Sequence, residues 1–294
     1  MSLRSLLTGT GVAVVTPFKS DSSVDFKALE NIVNHIIDGG AEYIVTLGTT
    51  GETSTLTKDE KLTVLDVTLD VVNKRVPVVV GIGGNNTASI VKDLQDFPLD
   101  NVAAVLSASP YYNKPSQEGL FLHYKALAEA SPKPILLYNV PGRTGRNMTA
   151  KTTLRLAYEV PNIGGIKEAH NDMPQCLEII RDRPEHFLVV TGDDEIALPQ
   201  IAFGFDGVIS VNANAFPRLV SDMIRYCLKG DFAAARPIHY KFLEAYDMLF
   251  VENNPAGVKA FMYELGLLEN ELRLPVTPVS AELQDKIKAY VATF

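Results

Sequence analysis

Apolar residues gather in eight short runs along the chain, each bounded by turn residues. The runs are Gly11 to Phe18, Tyr43 to Glu52, Val76 to Gly84, Val102 to Tyr112, Pro134 to Arg143, Ile163 to Ala169, Phe187 to Asp194 and Gly207 to Asn214. Val, Ile and Leu follow one another in them with little polar alternation, which is the pattern of parallel strands buried on both faces. Between them lie stretches of helical spacing such as "DFKALENIVNHIIDGG" and "TKDEKLTVLDVTLDVVNK", the second opening on Thr57 and Glu60 as a capping box. Strand then helix, eight times over, predicts the α/β class and a (β/α)8 TIM barrel. A doubly wound open sheet needs fewer units and usually a phosphate loop after its first strand, whereas that turn here reads "TPFKSDSS".

From about Asp231 the strand signal stops and only helical patterning follows, in "DFAAARPIHYKFLEAYDMLF", "NPAGVKAFMYELGLL" and "SAELQDKIKAYVATF". The expected division is a barrel over 1–230 carrying the active site and a C-terminal helical domain over 231–294.

The length of 294 residues suits one large barrel, and 46% hydrophobic with 21% charged residues suits a globular protein with a sizeable core. A net charge of −8 argues against a nucleic-acid partner, which calls for a basic surface. The amino terminus lacks a signal-peptide pattern, and no apolar run is long enough to span a membrane, so a cytoplasmic protein without a membrane partner is expected. Cys176 and Cys227 stand in helical patterning outside any pairing motif and read as small buried hydrophobes. The five histidines are scattered, without HExxH or zinc spacing, so neither a metal nor another cofactor is expected.

In a barrel the chemistry sits at the carboxyl ends of the strands. There the runs carry Thr49, Thr50, Gly51 and Glu52, then Tyr111, Tyr112 and Asn113, then Tyr138, Asn139 and Arg143, and finally Lys167 and Glu168. Lys167 follows Ile163, Gly164, Gly165 and Ile166, surroundings that favour a neutral amine able to attack a carbonyl. A rim salt bridge with Glu168 or another carboxylate is the plainer reading. Tyr138, on the preceding run, could relay the protons that Schiff-base chemistry moves, or simply close the barrel end. "GTTGE" offers hydroxyls and backbone N–H groups for a carboxylate, or is only a turn, while Arg143 could clamp a second carboxylate or lie idle on the surface. "GIGGNN" lacks both the Walker pattern and the dinucleotide fingerprint and reads as a tight loop.

Taken together, "GVAVVTPF", "GTTGE", "PYYNKPSQEG", "LYNVPGRTG", "GIKEA", "GDD" and "GVISV" resemble, in order and across nearly the whole chain, the motif set of the dihydrodipicolinate synthase and N-acetylneuraminate lyase superfamily. The resemblance implies a pyruvate-dependent class I aldolase-type lyase. Lys167 would form the Schiff base with pyruvate, a substrate rather than a cofactor, and Tyr138 would shuttle protons there. Thr49 and Tyr112 would complete a relay, with Tyr112 reaching into a neighbouring subunit, which implies a homo-oligomer, at least a dimer and usually a tetramer. Thr50 would bind the pyruvate carboxylate, and the Ile209 carbonyl would face the lysine. An arginine at Arg143 is typical of the branch that condenses pyruvate with aspartate semialdehyde to 4-hydroxy-tetrahydrodipicolinate, the first committed step towards diaminopimelate and lysine. The alternatives are an N-acetylneuraminate lyase or a 2-keto-3-deoxy or 4-hydroxy-2-oxo acid aldolase sharing Lys167 and Tyr138, and a barrel that binds pyruvate-like ligands without turnover.

Two departures stand out. "EAHNDM" puts His170 where a small hydroxyl residue and then glycine commonly follow "KEA". The family's lysine-effector site maps onto Thr53, Ser54, Lys58, Lys61, Asn85, Ser89 and Tyr111, with Lys61 and Ser89 in place of a histidine and a glutamate, so weak or absent inhibition by lysine is expected.

Overall fold

The computed structural model describes residues 2–294. Its strands are β1 (Gly9–Ala13), β2 (Tyr43–Thr46), β3 (Val78–Gly81), β4 (Ala104–Ala108), β5 (Ile135–Asn139), β6 (Ile163–Glu168), β7 (Leu188–Thr191) and β8 (Gly207–Ser210). They pair in parallel and in chain order, and β8 returns to β1 to close the barrel. The expected (β/α)8 architecture is therefore the one observed.

Every strand is shorter than the apolar run that announces it. The run from Tyr43 leaves the sheet after Thr46, because Leu47 (φ +56°) and Glu52 (φ +51°) take left-handed backbone that no ladder accommodates. Val14, Val15 and Phe18 stay buried although β1 has already ended at Ala13. Burial continues past the strands because the mouth of the barrel is roofed by later helices, and this is why hydrophobicity alone overestimates strand length.

Strand alternation sorts the side chains into two cores. Ala13, Tyr43, Val45, Val79, Leu106, Leu136, Leu188, Val190 and Ile209 fill the interior, and Leu3 and Leu7 of the first helix, Leu3–Leu7, join that cluster. Their neighbours Val12, Ile44, Val80, Val105, Leu137, Ile166, Val189 and Val208 face outward into the shell of helices. Each such side chain, fully buried, contributes about 1.5–3 kcal/mol, so the barrel wall is stabilised from both sides. Gly11 makes room for the largest interior residue, since a Cβ there would stand 2.1 Å from the Tyr43 ring.

After residue 230 come the helices Phe232–Lys241, Leu243–Phe250, Ala256–Glu264 and Ala281–Val291. The first two, one continuous pattern in the sequence, are separated at Phe242. Ala235, Phe242, Leu249, Phe261 and Ile287 belong to the same apolar cluster as the outer wall of the barrel. Polar contacts bind this segment to the loop after β2. Lys259, fully buried, stands 2.5 Å from the Glu52 carboxylate and donates to the Glu271 carbonyl at 2.9 Å. The Arg273 amide donates to the other oxygen of Glu52, while its guanidinium holds Glu60. Burial pushes the Lys259 ammonium down to about 8, and the Arg273 hydrogen bond holds Glu60 down at about 2. Among the described residues no helix is long and apolar enough to cross a membrane.

Candidate active site

The register of β5 against β6 sets Tyr138 beside Lys167 and Asn139 beside Glu168. Successive residues of a strand point to opposite faces, so the first pair shares the barrel interior and the second the outer side. Lys167 is only 5% exposed, and its ammonium stands 4.4 Å from the centre of the Tyr138 ring. Gly192, just after β7, leaves the space for it, because a Cβ there would come within 2.5 Å of the Lys167 Cε. Among the described residues Lys167 forms no salt bridge, with Glu168 or with another carboxylate. The Glu168 carboxylate instead accepts from Asn139 Nδ2 at 2.9 Å and meets His170 Nε2 at 2.6 Å.

Above this pair opens a cavity of about 420 Å³ whose lining includes Thr49, Thr50, Tyr138, Arg143, Lys167 and Asn254. Thr50 is buried, with its hydroxyl accepting from Asn254 Nδ2 at 3.1 Å. Arg143 lies on the short helix Pro141–Thr144, and its guanidinium donates to the Asn254 carbonyl at 3.2 Å. One asparagine from the C-terminal segment thus joins the loops that follow β2 and β5. Its Oδ1 is buried without a protein partner at the cavity wall.

The other two expected residues stand apart from the cavity. Ile209 is buried in the barrel interior and does not line it. Tyr112 is 88% exposed on left-handed backbone (φ +72°) and is not part of the cavity of its own chain. Tyr111 lines a second cavity, of about 510 Å³, together with Thr53, Ser54, Lys58 and Lys61 but without Asn85 or Ser89. Lys58 is tied there to Asp96 at 2.8 Å.

The cavity that holds Lys167 and Arg143 is also lined by acidic groups, Asp193 and Glu195. Asp193 lines the cavity, and Asp194 accepts from the Val211 and Asn212 amides at 2.8 and 3.0 Å, which fixes the turn after β8. Burial pushes both carboxyls up. Tyr246, Asp247 and Phe250, from the helix Leu243–Phe250, complete the roof. Sequence reasoning passes over them and over Asn254; the "NNP" at 253–255 signals a loop, but nothing local says that it hangs over the barrel. Cys176 and Cys227 are buried and free, and burial pushes their thiols up to about 12 and about 11, far from the reactive thiolate range. Among the described residues no three His, Cys, Asp or Glu side chains gather as a metal site requires. A buried amine, a phenol beside it and an arginine across the same cavity are suited to carbonyl addition on an anionic substrate.

The comparisons with known proteins agree with this chemistry. A sequence model of the dihydrodipicolinate synthetase family matches residues 6–293. The chain is 50% identical over 282 residues to a 4-hydroxy-tetrahydrodipicolinate synthase of Flavobacterium psychrophilum, covering 96% of each chain. It superposes on the crystal structure of dihydrodipicolinate synthase from Aquifex aeolicus with a TM-score of 0.94 at 39% identity, over 97% of both chains. It is also similar to a solved structure described as a monomeric dihydrodipicolinate synthase variant, with a TM-score of 0.95 at 35% identity, over 100% of this chain and 99% of that one. With the barrel, the placed lysine and a match that runs nearly from end to end, the chain belongs to the dihydrodipicolinate synthetase family.

Proposed function

We propose that this chain is a lyase that condenses pyruvate with aspartate semialdehyde to 4-hydroxy-tetrahydrodipicolinate, the step that commits carbon to diaminopimelate and lysine. The observation that carries the reading is the Lys167 ammonium set in the barrel interior against Tyr138, with Arg143 on the wall of the same cavity.

In this reading the Lys167 amine adds to the pyruvate ketone, and loss of water leaves an imine on its Nζ. The Tyr138 hydroxyl carries the protons that addition, dehydration and carbon–carbon bond formation move. Thr50 holds the pyruvate carboxylate with its hydroxyl and amide, and Thr49 hands protons on from Tyr138. Tyr112 completes that relay in the site of a second copy, for which its 88% exposure leaves it free, so the working unit is a homo-oligomer, at least a dimer and usually a tetramer. Arg143 takes the carboxylate of the incoming aldehyde. The Ile209 carbonyl helps to orient the imine from below. No cofactor enters, pyruvate being a covalently held substrate, and the reaction belongs to the cytoplasm. The two ammonium groups of Lys58 and Lys61 around the second cavity favour weak or absent inhibition by lysine.

The test is pyruvate consumption with aspartate semialdehyde, N-acetylmannosamine and glyoxylate in parallel. Fast turnover with the semialdehyde alone is expected; turnover only with another acceptor would keep the Schiff base and move the chain to a sibling activity.

A further inference from the structure

His170 is the first departure after "KEA", and the proposed reaction gives it no role. It stands on the outer side of the barrel wall, its side chain 9% exposed, with Nε2 at 2.6 Å from Glu168 Oε2. The Asp172 amide donates to its Nδ1 at 3.0 Å, which leaves Nε2 as the ring's donor to the carboxylate, and Gln175 Nε2 stands 3.1 Å from the same Nε2. Glu168 is fully buried, and its Oε1 has no protein partner. Without the imidazole, this carboxylate would keep a single donor, Asn139 Nδ2.

Asn139 is also the hinge of a second set of contacts. Its Nδ2 reaches Asn147 Oδ1 at 2.8 Å and the Met148 carbonyl at 3.2 Å, and its Oδ1 accepts the Met148 amide at 3.0 Å. Gln175 grips the same two residues from the helix Met173–Asp182. Residues 140–148 form the arm that carries Arg143, whose guanidinium is tied to the rest of the chain through the Asn254 carbonyl. The strands themselves are held by their backbone ladder, which does not depend on the Glu168 side chain.

We propose that His170 is a positioning residue for the aldehyde acceptor: through Glu168 and Asn139, and through its contact with Gln175, it seats the 140–148 arm and thereby places the Arg143 guanidinium. This rests on the role proposed above for Arg143.

The experiment uses the full-length protein with His170→Ala, His170→Asn and His170→Gln. Asparagine is too short to bring its amide to Glu168, and it carries the test should the alanine variant fail to fold. Glutamine places an N–H close to where Nε2 stands. His170→Ala and His170→Asn should raise KM for the aldehyde about tenfold, the scale of one lost hydrogen bond to a charged group, with kcat and the rate of borohydride trapping of pyruvate little changed. His170→Gln should restore the aldehyde KM. The proposal is overturned if the aldehyde KM stays at the wild-type value in both short variants, or if pyruvate trapping falls alongside and glutamine gives no rescue. Should the wild-type chain turn over a different aldehyde, the acceptor reading fails by itself, and the same KM comparison with that aldehyde decides for or against His170.

Discussion

Tyr138 and Lys167 are direct cross-strand partners on β5 and β6, and the lysine ammonium lies 4.4 Å from the centre of the tyrosine ring. The contact follows from register and period: one step along either strand, the same register brings Asn139 to Glu168 on the opposite face. A phenol and an amine are thereby locked inside the barrel while the amide and carboxylate behind them brace the wall. The family to which the chain belongs and the geometry of this pair lead to the same chemistry.

Removing only the phenolic oxygen tests the proton relay. Tyr138→Phe keeps the ring against Lys167 and should lower kcat by about 10²- to 10⁴-fold, the usual span for a positioned acid–base group. Steady-state kinetics read the loss; a kcat within a few-fold of wild type would remove Tyr138 from the relay.

Arg143 should matter for the second substrate and not the first. Arg143→Ala is expected to raise KM for aspartate semialdehyde by about 10- to 100-fold, as loss of a charge-assisted hydrogen bond does, while borohydride trapping of pyruvate proceeds as before. Equal damage to both substrates would place the arginine in a structural role.

Which of these features are legible in the sequence follows from how local they are. Eight apolar runs announce the barrel, and the residues closing each run place Thr49, Tyr138, Arg143 and Lys167 at its mouth. Asn254 is invisible by the same route, because the hydrogen bond that brings it to Thr50 spans 204 positions of sequence. The Glu52–Lys259 pair, 207 positions apart, is hidden for the same reason, and a glutamate in a turn and a lysine on a helix look solvent-exposed when read singly. The Lys167–Glu168 salt bridge fails because adjacent strand residues point apart, which the strand period already implies.

Breaking the Glu52–Lys259 pair from one side should destabilise the fold strongly. Lys259→Met leaves the Glu52 carboxylate buried without its cation, which costs about 3–5 kcal/mol, whereas Lys259→Met combined with Glu52→Gln should recover a large part of that. Urea unfolding of the two single variants and the double variant measures the coupling; strictly additive losses would show that the pair does not act as a unit.

His123 gives the stability a definite pH dependence. It is buried on the helix Gln117–Ala130, with Nδ1 2.8 Å from the Thr87 hydroxyl, and burial pushes it from 6.5 down to about 4. The unfolded chain takes up this proton first, so folded-state stability is lost as pH falls from 6.5 towards about 4. The loss amounts to roughly 3–3.5 kcal/mol at the most. His123→Gln should flatten that slope in unfolding curves taken across the window, and an unchanged slope would assign it to other groups.

The most direct test of the central chemistry is borohydride reduction in the presence of pyruvate, followed by peptide mapping by mass spectrometry. A single pyruvate-derived adduct on Lys167, absent from Lys167→Ala, is the expected result. An adduct on another lysine, or one that persists in Lys167→Ala, would contradict the assignment of the Schiff base to the residue at the end of β6.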